Sequence, residues 1–154
     1  MTALKRATAL LLLAAIALAA VACGSSSASA NTAGGPLTVK SAWARAAASG
    51  ADTAVYFTIV NGRVAADTLL SATSTVAKET GIHQTSTDAS GMMGMHMVPS
   101  VAIPGGGTVE FAPGGYHVML TGLTQDLTAG GQVQITLTFQ NAGTVTVTAE
   151  VRAN

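Results

Sequence analysis

The sequence is poor in charge. Charged residues make up 9% of its 154 residues, and seven Lys and Arg balance seven Asp and Glu. Nucleic-acid-binding surfaces need clustered Lys and Arg, so we expect no nucleic-acid partner. No nucleophile–base grouping and no suitably spaced pair of carboxylates stands out, so we predict that the protein is not an enzyme. The glycines at 105–107 are not followed by Gly-Lys-Ser/Thr, which predicts a turn and not a phosphate-binding loop.

Cysteine is almost absent. Cys23 is the single cysteine, and it lies in the N-terminal segment. The rest of the chain therefore has no internal disulfide and no thiolate metal ligand. An electron-transfer copper site of the two-His, one-Cys type is also excluded, because it needs a cysteine ligand.

Residues 1–22 have the features of an export signal. Lys5 and Arg6 precede an apolar run from Ala7 to Ala22, which is short for a membrane span and ends in small residues. The following Ala20-Val21-Ala22-Cys23-Gly24 resembles a bacterial lipoprotein box. That resemblance implies lipid attachment at Cys23 and a protein anchored on the outer side of a bacterial cytoplasmic membrane. The alternative is an ordinary secretory signal with an incidental cysteine.

The next segment, residues 23–36, is rich in Ser, Ala and Gly, which predicts a flexible tether. Residues 37–154 are rich in Thr and Val and have turn signals at short intervals, which favours an all-β domain. Alternating apolar residues in Gln132–Gln140 and Gly143–Val151 predict a hairpin with one buried face. We expect an antiparallel β-sandwich of eight or nine short strands and no helix in this region.

Methionine and histidine are concentrated in one region. Apart from Met1, every methionine lies between Met92 and Met119, and the three histidines are His83, His96 and His117. Thioether sulfur is a soft, neutral ligand, and imidazole is a borderline one. With no thiolate available, this combination indicates Cu(I). Because the ligands are neutral, Cu(I) binding should weaken as the histidines protonate below about pH 6.

Strand geometry groups these residues. In Tyr116–Leu120, His117 and Met119 point to one face of a strand, and Val118 and Leu120 point to the other. Met93, Met95 and Met97 also share one face, with Met92 and His96 on the opposite face. His83 is expected to end the preceding strand, and Gln84–Ser90 is expected to be a loop. We expect His96 to be exposed and uninvolved.

The spacing of these residues resembles that of the periplasmic copper chaperone family PCu(A)C. The family pattern is a His, a Met after ten intervening residues, and a His-x-Met after twenty-one more. Here twenty-one residues separate Met95 from His117-Val118-Met119, and eleven separate His83 from Met95. Further similarity lies in segments 42–46, 54–57, 61–62, 103–106 and 113–117.

The resemblance implies four Cu(I) ligands, namely His83, Met95, His117 and Met119. Met93 or Met97 could replace Met95, and His96 could be an additional ligand. The resemblance also implies a cupredoxin-like fold and copper exchange with a donor or acceptor protein, such as cytochrome c oxidase or its assembly factors during Cu(A) assembly.

Three other interpretations compete with a copper site. The methionines could be packing residues, or they could form a hydrophobic patch on a structural or adhesive envelope lipoprotein. Zn(II) is a competing metal, with Asp88 in the same region, but methionine is a poor zinc ligand.

Trp43 and Arg45 are interpreted as structural residues that pack against the edge of the sandwich.

Overall fold

The computed structural model describes residues 35–87, 89 and 91–153. The predicted signal segment 1–22, the lipid-attachment residue Cys23 and most of the tether 23–36 lie outside the described residues. Asp88 lies outside them as well. The first strand of the described residues starts at Leu37.

The described residues form ten β-strands and no helix, which confirms the predicted all-β class. The sequence predicted eight or nine strands. The additional strand is Val101–Ile103. It was not predicted because three residues are too few to show an alternating pattern. The strands are β1 Leu37–Arg45, β2 Thr53–Asn61, β3 Asp67–Thr73, β4 Ala77–Thr87, β5 Met93–Met97, β6 Val101–Ile103, β7 Thr108–Phe111, β8 Tyr116–Leu123, β9 Gln132–Phe139 and β10 Gly143–Arg152.

The strands are hydrogen-bonded in the order β5-β4-β8-β7-β2-β1-β10-β9-β3-β6, with a further pairing of β8 with β2. Most neighbours are antiparallel, as predicted. The first and last strands, however, pair in parallel, and so do β7 and β8 at one point. Local sequence patterns do not report on the pairing of β1 with β10, because these two strands are far apart in the sequence and no turn joins them.

The core is built from the alternating faces of these strands. In β9, Val133, Ile135, Leu137 and Phe139 are all buried, and they join one apolar cluster with residues from nine strands. Each buried aliphatic side chain stabilises the fold by about 1.5–3 kcal/mol. Ile82 of β4 and Val118 and Leu120 of β8 belong to this cluster, so β4 and β8 are anchored by their inner faces.

The connection before the methionine cluster is shorter than predicted. Strand β4 continues to Thr87, so Gln84–Thr87 is strand and only residues 88–92 connect it to β5. Thr85 pairs with Met95, and His83 pairs with Met97. The prediction of a loop was wrong because β5 is an edge strand with every residue exposed, and the facing part of β4 has no apolar alternation to reveal it.

Among the described residues, no helix has the length and apolar character needed to cross a membrane.

Candidate metal centre

The predicted ligands lie on three neighbouring strands. His83 is on β4, Met95 is on β5, and His117 and Met119 are on β8. His83 pairs directly with His117 across the antiparallel β4–β8 ladder, and Gly81 pairs with Met119. Their side chains are therefore on one face of the sheet, and Ile82 and Val118 between them enter the core.

His117 is the best-fixed residue of the group. Only 4% of it is exposed. Its Nδ1 atom lies 3.1 Å from the carbonyl oxygen of Gly115, to which the Nδ1–H donates. In a neutral imidazole this donation leaves the Nε2 lone pair free. The Nε2 atom lies 3.2 Å from the sulfur of Met95. A backbone acceptor that fixes the tautomer in this way is typical of metal-binding histidines.

Met95, His117 and Met119 line one cavity of about 480 Å³. Met95 is 53% exposed and lies on the solvent side, whereas Met119 is half-buried. Two thioether sulfurs and one imidazole therefore face a common space that solvent can reach. Such a donor set suits a soft monovalent metal ion.

His83 is the fourth predicted ligand, and it lies beside this cavity. Its ring centroid is 5.9 Å from that of His117. Its Nδ1 atom is buried, with no hydrogen-bond partner among the described residues. Burial, reinforced by the charges of His117 and His96, lowers the pKa of His83 below its usual value. His83 is therefore held in the neutral form that a metal ligand needs.

The three alternative ligands lie on the edge strand β5. Met93 and Met97 are 75% and 69% exposed. Met93 pairs with Thr87, away from the cavity, while Met97 pairs with His83. His96 pairs with Gln84 and is exposed, as expected.

The sequence patterns did not reveal a group of aromatic rings next to His117, formed by Tyr56 and Trp43. The Tyr56 ring lies 6.2 Å from the His117 ring and 4.6 Å from the Trp43 ring. The Arg45 guanidinium lies over Tyr56, and Arg45 lines the cavity. The interpretation that Trp43 packs against an edge was wrong, because β1 lies between β2 and β10 inside the sheet. Trp43 and Arg45 are two residues apart on β1 and therefore share a face of that strand. This sequence pattern could have indicated that both lie near the same site.

The candidate centre lacks a cluster of carboxylates among the described residues. Within the part of the chain that the structure describes, no group of three or more His, Cys, Asp or Glu residues is placed to hold a metal ion. The donor atoms that do converge, His117 Nε2 and the sulfur of Met95, belong to an imidazole and a thioether.

A model of the LpqE-like family, described as "Putative lipoprotein LpqE-like", matches residues 37–151. The chain belongs to the LpqE-like family. A curated relative, "Putative lipoprotein Lxx21020" of Leifsonia xyli subsp. xyli, is 35% identical over 114 residues, which are 74% of this chain and 68% of the relative.

Solved structures of PCuAC domains are similar to this LpqE-like chain. The copper-bound PCuAC domain from PmoF2 is 28% identical, with a TM-score of 0.65, and the match covers 79% of this chain and 97% of that domain. The solution structure of CuI-DR1885 from Deinococcus radiodurans is 36% identical, with a TM-score of 0.58, and the match covers 77% of this chain and 81% of that one. The expected cupredoxin-like β fold is thereby confirmed.

Proposed function

We propose that this protein is an exported copper chaperone that holds Cu(I) through His117, Met119, Met95 and His83 and passes the ion to a partner protein. The observation that carries the proposal is the convergence of the His117 Nε2 atom with the sulfur of Met95, at 3.2 Å, in the cavity that Met119 also lines.

The donor chemistry favours Cu(I) over its competitors. Thioethers are soft and uncharged, so they stabilise Cu(I) relative to Cu(II) and Zn(II). The neutral imidazoles add affinity without requiring a deprotonated thiol. Ligation by thioether and imidazole also needs no redox change, which suits a protein that carries an ion and does not react with it.

The comparisons support copper as the cargo. The similar domain from PmoF2 is named as copper-bound, and the Deinococcus radiodurans structure is named as its CuI form. At 28% and 36% identity these are homologous domains of the same fold.

Export and anchoring complete the proposal. Residues 1–22 would direct export, Cys23 would carry the lipid, and residues 23–36 would tether the domain to the outer side of the cytoplasmic membrane. The lipoprotein names of the family and of the Leifsonia relative support export and lipid anchoring. The partner would be a copper donor or acceptor, with cytochrome c oxidase or one of its assembly factors as the candidate. The exposed side of Met95 would let a partner's ligands reach the ion before it leaves.

A Cu(I) competition titration against a chromophoric chelator tests this function. We expect one Cu(I) ion per chain. Affinity should fall at least about tenfold in His117→Ala and in Met119→Ala, a change of about 1.4 kcal/mol. Circular dichroism should show that both variants remain folded. Wild-type affinity in both variants would refute the assigned ligands.

A second candidate function follows from the exposure of the methionines. Met92, Met93, Met95 and Met97 are 68%, 75%, 53% and 69% exposed and could form an apolar contact patch for an envelope protein. The same titration separates the two, because a patch protein would bind no Cu(I).

A further inference from the structure

Met97 and His83 form a pair outside the cavity. They are directly opposed in the β4–β5 ladder. A Cβ atom placed on Gly81 would lie 3.2 Å from the Nε2 atom of His83 and 3.3 Å from the Cε atom of Met97. The imidazole and the end of the thioether side chain therefore converge over Gly81, in space that a larger residue would fill.

Met97 is separate from the residues that line the cavity. Met95, His117 and Met119 line the cavity, whereas His83 and Met97 do not. Met97 instead lines a separate depression of about 180 Å³, together with Gly81, Ile82 and Val98. Met97 is 69% exposed, whereas His117 is 4% exposed.

His83 is placed to contact both regions. Its ring is a direct cross-strand neighbour of both Met97 and His117. Its buried Nδ1 atom makes no hydrogen bond to any described residue, so turning the ring breaks none at that atom. Thioether and imidazole together are again a soft donor pair.

Resting on the proposed function, we propose that Met97 and His83 form an outer Cu(I) position, through which the ion passes to and from the cavity. Cu(I) is first held by the sulfur of Met97 and a nitrogen of His83. The bond to Met97 breaks as bonds to His117 and the cavity thioethers form, and His83 remains bound throughout. The ion stays Cu(I), and no electron or proton is transferred.

The outer position changes the rates at which Cu(I) is loaded and released, and it leaves the equilibrium affinity for Cu(I) unchanged. An intermediate position lowers the barrier in both directions equally, so loading and release accelerate together and their ratio is unchanged. Met97 then binds Cu(I) only transiently, during loading and release, while Met95 binds it in the equilibrium complex. The two methionines can be told apart experimentally for this reason.

Stopped-flow exchange of Cu(I) between the intact domain and a chromophoric chelator tests the proposal. In Met97→Leu, we expect loading and release to slow together by about tenfold, with the equilibrium affinity within about twofold of wild type. Met93→Leu is the matched control, since Met93 is as exposed and on the same strand but pairs with Thr87. Gly81→Ala keeps both donors and crowds them apart, so it should also slow exchange.

The outcomes are separable from those of the proposed function. If wild type binds no Cu(I), the proposed function itself fails. If wild type binds and Met97→Leu loses affinity as Met95→Leu does, Met97 is a resting ligand and the outer position is refuted. Unchanged exchange rates in Met97→Leu or in Gly81→Ala would also refute it, as would equal slowing in Met93→Leu.

Discussion

The Nε2 atom of His117 lies 3.2 Å from the sulfur of Met95, although the two residues belong to strands that are not hydrogen-bonded to each other. For comparison, zinc–nitrogen bonds of about 2.0 Å and zinc–sulfur bonds of about 2.3 Å at a tetrahedral angle place nitrogen and sulfur about 3.5 Å apart. The observed separation is close to that value. A small shift of the exposed Met95 side chain would therefore admit an ion between the two atoms.

Replacing Met95 by leucine tests this contact. Met95→Leu keeps an apolar side chain of similar volume and removes only the sulfur, so the fold should be unaffected. We expect the Cu(I) dissociation constant to rise at least about tenfold in chelator competition. Met97→Leu, on the same face of β5, should keep the wild-type dissociation constant at equilibrium. Equal losses of Cu(I) affinity in Met95→Leu and Met97→Leu would mean that binding depends on β5 as a whole and not on the sulfur of Met95.

The hydrogen bond from His117 Nδ1–H to the Gly115 carbonyl predicts one tautomer. Nitrogen-15 NMR of the metal-free protein at neutral pH should show a protonated Nδ1 and an unprotonated Nε2 for His117. Addition of Cu(I) should then shift the Nε2 resonance far more than the Nδ1 resonance. A protonated Nε2 in the metal-free state would contradict the proposed ligand atom.

Burial and the neighbouring charges of His117 and His96 lower the pKa of His83, which predicts its titration. The unfolded chain takes up a proton near the usual pKa of about 6.5, whereas folded His83 takes it up only at lower pH. His83 should therefore contribute stability above about pH 6.5 that is lost as the pH falls through that range.

The titration can be followed through the ring protons of His83 in the metal-free protein by NMR. We expect a midpoint below about 6.5. His96→Gln removes one of the neighbouring charges from an exposed position and should raise that midpoint. A wild-type midpoint at or above the usual value would be inconsistent with the buried environment.

Asp67 provides a second pH-dependent contribution, far from the cavity. Its buried carboxylate accepts hydrogen bonds from the backbone N–H groups of Thr68, Asn141 and Ala142, at 2.8, 2.9 and 2.8 Å. Burial alone would raise the pKa of Asp67, but these donors and the charge of Arg63 lower it below its usual value. The carboxylate thus ties the start of β3 to the turn between β9 and β10.

Asp67→Asn should lower the free energy of unfolding by about 1–3 kcal/mol at pH 7, because an amide NH₂ replaces the Oδ2 atom that accepts from the N–H of Ala142 and leaves that donor unpaired. The lowered pKa gives stability that is present above about pH 4 and is lost as the pH falls below it. Urea unfolding should therefore show a smaller difference between variant and wild type at pH 3 than at pH 7. A constant difference would mean that the charge of Asp67 is not responsible.

The strands that could be predicted are those with one buried face. Alternation in β9 and β10 located the C-terminal hairpin. The continuation of β4 through Thr87 was missed because that part faces an exposed edge strand, where polar residues alternate with polar residues. Period-two patterns report burial, and a strand without burial leaves no such pattern.

The sequence by itself determined that His117 and Met119 share a face, because alternation along a strand is local and is imposed by backbone geometry. Strand parity alone left Met93, Met95 and Met97 equivalent, and only the spacing shared with the PCu(A)C family singled out Met95. Only the tertiary structure decided that Met95 reaches His117 while Met97 lies against His83. The physical reason is that the register between β4 and β8 follows from how Ile82, Val118 and Leu120 pack into the common core, while the exposed strand β5 is placed by its backbone pairing with β4, and no single segment encodes either.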